Sequence, residues 1–169
     1  EEEVLNAENW SSLAWLDGKT YPGDELTEDW KKVLFNQFHD LAAGSGIGII
    51  YKDAQKDYDW VRWSTNEISA TALHAVAERV NTGSQHANSI PVVVWNPLGW
   101  ARTGNVTVMV QATSPQVKDF RWSEGDKTET HPAHVVADAK QTGVLPLSMS
   151  GGTVPGLGYT ALHLMPVDT

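Results

Sequence analysis

Asn81-Thr82-Gly83-Ser84-Gln85-His86-Ala87-Asn88-Ser89 is the stretch on which the fold turns. It is small and polar, and it reads as a linker or crossing loop. Upstream of it, apolar residues recur every three or four positions. Downstream they alternate. In the upstream half, Tyr51, Ala54, Tyr58, Val61, Thr65, Ile68, Ala72 and Val76 mark one stripe of a long helix over about 49–80. A break at Ala42-Ala43-Gly44-Ser45-Gly46 precedes it. A second helix is expected from about Thr27, as N-cap, to Leu41, with Glu28 and Asp29 in its first turn. A first helix over 3–16 ends at Asp17-Gly18, where glycine suits the left-handed end. In the downstream half, Pro91–Asn96 is a β-branched run. Val106, Val108 and Val110 alternate with polar neighbours. Further short strands are expected at 117–122, 132–138, 143–148 and 158–165, with a long loop around Gly151-Gly152 and Pro155-Gly156. The fold class is therefore α+β. A three-helix bundle over 1–85 is followed by a partial antiparallel β-sandwich-like region over 90–169.

Composition narrows the function. The 169 residues contain no cysteine, so disulfides, thiolate metal sites and cysteine nucleophiles are excluded. A cysteine-free chain suits the cytoplasm. Acidic residues outnumber basic ones 21 to 12, giving a formal charge of −9. Nucleic acid is recognised by neutralising phosphates with Lys and Arg, so it is set aside as a partner. No apolar run approaches the roughly 18 residues a membrane helix needs, and the start of the chain lacks a signal-peptide pattern. The chain opens on Glu1-Glu2-Glu3 and not on Met, as a piece of something longer would. Eight tryptophans is a high count for this length; core packing accounts for most of them.

On a helical wheel, Trp30, Val33, Leu34, Phe38 and Leu41 form an amphipathic stripe for the bundle. The opposite side carries Phe35, Asn36, His39 and Asp40. Solvent-facing sides normally carry Lys, Glu and Gln. At i,i+4 spacing, Phe35 is expected beside His39 and Asn36 beside Asp40. His39 is either an ordinary surface histidine or a ligand on a face that meets another body. One imidazole and one carboxylate do not complete a zinc site, which takes three or four protein ligands.

Leu34-Phe35-Asn36-Gln37-Phe38-His39-Asp40-Leu41-Ala42-Ala43-Gly44-Ser45-Gly46-Ile47 resembles the "NQFHD…GS" signature of glycoside hydrolase family 38 α-mannosidases. Ala7-Glu8, Tyr21-Pro22, Trp30-Lys31, Tyr51 and Asp53-Ala54 are similar to the surrounding family pattern. Val92-Val93-Val94-Trp95-Asn96-Pro97-Leu98-Gly99-Trp100 resembles the start of the family's C-terminal β region. Val154-Pro155-Gly156-Leu157-Gly158-Tyr159 resembles a later element of it. The resemblance runs in order along nearly the whole chain.

It implies a middle helical domain and the first part of the β region of a retaining, zinc-dependent enzyme acting on α-mannosides. The family's zinc is held by two His and two Asp. One of these maps onto His39, and Asp40 is implied to bind sugar hydroxyls. The other three ligands and both catalytic carboxylates are implied to lie in a missing N-terminal catalytic domain. No His here is followed two places later by Asp, so that domain's metal motif is absent. The implied partners are therefore an α-mannoside substrate and that missing domain, and the isolated fragment is expected to be inactive and to bind zinc poorly. Asn36 or Gln37 could orient the His39 ring. His131 and His134 form a weaker metal candidate in predicted β structure. The alternative is a non-catalytic carbohydrate-binding or structural module, with Trp60 and Trp63 off the main stripe of the third helix.

Overall fold

The computed structural model describes residues 1–83, 86–111, 119–125, 127–136 and 144–167. The chain divides into two compact units, Glu1–Arg79 and Val80–Thr169.

The first unit holds α1 (Glu2–Leu16), α2 (Gly23–Phe35), α3 (His39–Ala42) and α4 (Gly48–Ala77). In α1, Glu2 and Glu3 occupy the first turn and complement the helix dipole. The helix buries Val4, Ala7, Trp10, Ser11 and Ala14, one continuous stripe. It ends as expected, with Gly18 at φ +86°. Leu26 and Val33 of α2 and Val61 of α4 join Val4 and Ala7 in one core, with Trp30 and Ile68 packed against it. The Trp30 indole donates to Glu8 at 2.8 Å, so two stretches that the sequence places apart meet between α1 and α2.

The second helix departs from its expected bounds at both ends. It begins at Gly23 after Pro22, and the Thr27 hydroxyl donates back to the Gly23 carbonyl at 2.7 Å instead of capping a terminus. It stops at Phe35, and α3 is a separate single turn. The reason lies in residues 36–38. The amides of Gln37 and Phe38 bond three residues back, to Leu34 and Phe35, which tightens the last turn. Phe38 then turns extended, at ψ 140°.

The second unit is β1 (Ile90–Asn96), β2 (Arg102–Gln111), β3 (Asp119–Glu124), β4 (His131–Val135), β5 (Val144–Val154) and β6 (Gly158–Val167). They form one antiparallel sheet in the order β1-β6-β3-β4-β5-β2. The antiparallel expectation holds, but the described strands do not separate into the two sheets of a sandwich. β4 pairs with both β3 and β5 and joins the halves. The sheet curls until its edge strands β1 and β2 line one shallow cavity. Alternate residues fill the concave core: Phe120, Trp122, Leu147, Met149, Leu162 and Leu164. β5 runs straight through Gly151-Gly152, which read as loop. Ser150 pairs with Asn105 and Gly152 with Gly104, so Gly151 is the extra residue of a bulge. Its φ of +104° is one that glycine adopts without strain. Residues 117–118, 137–138 and 143 of the expected strands lie outside the described residues.

Candidate functional site

His39 and Asp40 open the single-turn helix α3, and the break at residues 36–38 decides how they are presented. Both are exposed, with side chains 77% and 60% accessible. The His39 Nε2 lies 3.4 Å from an Asp40 carboxylate oxygen. The imidazole packs on the neighbouring Phe38 ring, with centroids 4.2 Å apart and planes tilted by 47°.

Several expected neighbours are corrected. Phe35 does not stack on His39, because the helix that would put them one turn apart has ended; Phe38 takes its place. Leu34 and Phe38 leave the core stripe and are exposed. Asn36 moves the other way. It is buried, and its amide donates to the Lys32 carbonyl at 2.9 Å and to Asp57 at 3.0 Å. Gln37 donates to Glu1. Neither Asn36 nor Gln37 orients the His39 ring, since both side chains are engaged elsewhere.

Lys32 also reaches Asp57, at 2.8 Å. The hydrogen bonds from Lys32 and Asn36 hold the Asp57 carboxyl below its ordinary value, against a smaller opposing effect of burial. This triad fixes the last turn of α2 to α4, and through it the start of the segment that carries His39. No sequence pattern pointed to Asp57. The only available signal was its place one turn ahead of Val61 on α4.

A cavity of about 390 Å³ lies behind the turn, lined by Asn36, Leu41, Ala42, Tyr51, Tyr58 and others. His39 and Asp40 are not part of it. A larger cavity, about 820 Å³, lies elsewhere in the helical unit among Ser11, Ala14, Ile68, Thr71 and Ala72. The His-Asp pair is thus presented on a raised turn and not in a cleft. Flanking it along the chain, Phe35, Phe38, Ile47 and Ile49 are exposed apolar side chains, with Phe35 and Ile47 each 72% accessible.

Among the described residues, no three His, Asp or Glu side chains stand together as a metal cluster. The donor set at α3 fits part of a metal site: one accessible imidazole with a carboxylate beside it. His131 and His134 do not fit one. They are three apart on β4, so they point to opposite faces of the sheet. The His131 ring packs on Trp122, with centroids 4.8 Å apart.

The family profile described as the Alpha mannosidase middle domain matches residues 1–76. Over those residues the helical unit is similar to an α-mannosidase middle domain. The chain is 32% identical over 105 residues to Alpha-mannosidase 2C1 of Mus musculus, covering 60% of this chain and 10% of that one. Alpha-mannosidase 2C1 of Homo sapiens is 33% identical over 82 residues, 48% of this chain and 7% of that one. Two solved structures share the fold of the middle domain and the β unit. An alpha-mannosidase from Enterococcus faecalis V583 superposes with a TM-score of 0.73 at 18% identity, over 99% of this chain and 22% of that one. A protein in glycosyl hydrolase family 38 from Enterococcus faecalis gives 0.77 at 18% identity, over 99% and 23%. The chain therefore spans about a tenth or less of the curated relatives' length. No helix among the described residues is long and apolar enough to cross a membrane.

Proposed function

We propose that this chain is the middle domain and first β region of a retaining, zinc-dependent α-mannosidase that removes terminal α-mannosyl units. One observation carries this reading: the exposed His39–Asp40 pair sits on its own turn, packed on exposed Phe38 and flanked along the chain by exposed Phe35 and Ile47. Large apolar side chains gathered at a surface mark a contact with another body, and the chain spans under a quarter of its structural relatives. The body that covers this surface is the catalytic domain of the same polypeptide. It brings both catalytic carboxylates and the remaining three zinc ligands, so no catalytic residue lies in this chain.

His39 contributes a neutral imidazole to the metal, and Asp40 accepts hydrogen bonds from substrate hydroxyls. Zinc bound there would orient two sugar hydroxyls and the nucleophile as an electrostatic clamp. The Phe38 ring limits the rotation of His39, and the Asp40 carboxylate beside it favours one ring orientation. Retaining hydrolysis then needs two carboxyl groups, one attacking the anomeric carbon and one protonating the leaving oxygen. A cytoplasmic location accords with a chain free of cysteine.

The test is His39→Ala in the full-length protein. Zinc content and mannosidase turnover are both expected to fall by orders of magnitude, while the melting temperature stays within about 2 °C because the side chain is exposed. Full activity with full zinc content would refute the role of His39. Turnover by the 169-residue chain alone would refute the division of labour.

A second reading is a carbohydrate-binding or structural module, favoured by the exposed pair Trp60 and Trp63 on α4. Their rings are 5.2 Å apart but tilted by 55°, which does not make a flat stacking platform. Saturable binding of mannose oligosaccharides to this chain, followed by tryptophan fluorescence, would support that reading over the first.

A further inference from the structure

The turn that carries His39 and Asp40 has little of its own to hold it. α3 is four residues long, and none of them is buried. A single helical turn does not stand alone in water, because nucleation fixes more dihedrals than one turn of bonds repays. Behind it, Leu41 and Ala42 line the cavity of about 390 Å³, so its inner side meets open space and not a packed core. Packing therefore does not fix where the imidazole and the carboxylate are presented.

The residues that follow α3 supply the missing restraint. Gly44 takes φ +74°, and its amide donates to the Leu41 carbonyl at 3.2 Å, which turns the chain back. The Ser45 hydroxyl donates to the Asp40 carbonyl at 3.3 Å. The next amide, that of Gly46, donates to the Tyr51 hydroxyl at 3.0 Å. Tyr51 lies in the first turn of α4, and long side chains on a helix lean toward its N-terminus. Its hydroxyl thus reaches back to the strap formed by residues 43–47. The approach is close: a Cβ at Gly46 would run into the Ile50 side chain and stand 3.3 Å from the Tyr51 hydroxyl.

Resting on the reading of the His39–Asp40 pair as a metal and sugar contact, we propose that Tyr51 is the positioning residue of that pair, acting through Gly46 and Ser45 to fix the turn on α4. With the hydroxyl present, the strap has one place on α4, and the pair one presentation. Without it, the Gly46 amide loses its acceptor, and the pair is spread over several arrangements. Ligand affinity falls in proportion to the fraction of protein in the competent one. The net worth of one hydrogen bond shifts such an equilibrium about fivefold.

Tyr51→Phe in the full-length protein keeps the ring and removes the hydroxyl. In protein freed of zinc by a chelator, amide exchange of a peptide spanning 41–48 is expected to speed up about fivefold, with peptides of α1 unchanged. When zinc is titrated back, its dissociation constant is expected to rise about fivefold or more and kcat to fall with it, while the melting temperature stays within about 2 °C. A merely structural tyrosine would move the melting temperature and leave zinc affinity alone. Unchanged exchange over 41–48, or faster exchange with unchanged zinc affinity, would overturn the proposal. His39→Ala, measured beside it, separates the two levels. If His39→Ala loses zinc and Tyr51→Phe does not, the positioning role fails and the metal reading stands. If His39→Ala keeps its zinc, the metal reading fails and the positioning role falls with it.

Discussion

The side-chain amide of Asn96 donates to the carbonyl of Pro155 at 3.1 Å, fastening the end of β1 to the turn between β5 and β6. The same amide reaches the carbonyls of Trp100 at 2.8 Å and Val154 at 3.3 Å, while its oxygen accepts from the Leu98 amide at 3.1 Å. Asn96 is 2% exposed. Alanine there would strand several buried backbone groups at once. Asn96→Ala is expected to cost about 2–4 kcal/mol, because each unsatisfied group carries its desolvation penalty. Aspartate does not rescue the loss, since a carboxylate cannot donate to carbonyls. A shift of the urea midpoint at constant slope measures this; a loss under about 0.5 kcal/mol would mean that water replaces the amide.

Gly156 makes the second tie between the same two turns. A Cβ there would lie 2.6 Å from the Gly99 carbonyl carbon and the Trp100 nitrogen. Those are backbone atoms that cannot swing aside, and the Leu157 amide already donates to the Leu98 carbonyl at 2.7 Å. Gly156→Ala is expected to push the turns apart at about 1–3 kcal/mol. Gly99 offers the contrast: a Cβ there meets nothing within 4 Å, so Gly99→Ala should stay within about 0.5 kcal/mol. Equal effects of the two substitutions in denaturant titration would show that the close approach is not what the glycine is for.

These ties show what the sequence could and could not convey. The turn at Asn96-Pro97-Leu98-Gly99 and the one at Pro155-Gly156 were each legible from their Pro, Gly and Asn content, and both belong to recognisable family elements. That they touch was not legible, since nothing local records a partner so far along the chain. The class of each half is written in its period, and Val106, Val108 and Val110 keep their alternation in β2. Helix α2 was misread at its end for a physical reason. A wheel assumes the helix continues, and the apolar spacing of Val33, Leu34 and Phe38 permits that. The tightened turn at residues 36–38 coincides with the part-buried bond from Asn36 to Asp57 on α4, a tertiary contact. Once the helix stops, Phe38 turns outward and His39 is lifted onto its own turn. Likewise, Gly151-Gly152 looks like a loop until its partners Gly104 and Asn105 are known.

The Asn36–Asp57 bond can be weighed directly. Asn36→Leu is expected to destabilise the helical unit by about 1–2 kcal/mol at neutral pH, the range for a hydrogen bond to a charged group. Asp57 is about one-third exposed, so water screens part of that effect. Its folded-state value is lowered. The stability it contributes is therefore present above the unfolded carboxylate value of about 3.9 and lost as pH falls through the folded value. The gap between wild type and Asn36→Leu should accordingly shrink in acid. A gap that stays constant from neutral pH down to about pH 3 would show that the contact acts through packing alone.

Asp29 should behave in the opposite sense. It is fully buried on α2 and accepts from the Ser64 hydroxyl at 2.8 Å, but its other carboxylate oxygen has no partner. Burial raises its value above the ordinary one, and Glu25 adds to this. The Ser64 bond and the Lys32 charge pull it down by less. A raised carboxyl favours the folded state while protonated. That contribution is complete below about 3.9 and disappears as pH rises through the raised value. At neutral pH the ionised group is a liability. Asparagine keeps an acceptor for Ser64 and removes the charge. Asp29→Asn is therefore expected to gain up to about 1 kcal/mol at pH 7, with the gain vanishing near about pH 4. Urea melts at the two pH values decide it. If the variant is less stable at pH 7 by as much as it is at pH 4, the charge is not what destabilises this position, and the amide simply packs worse than the acid.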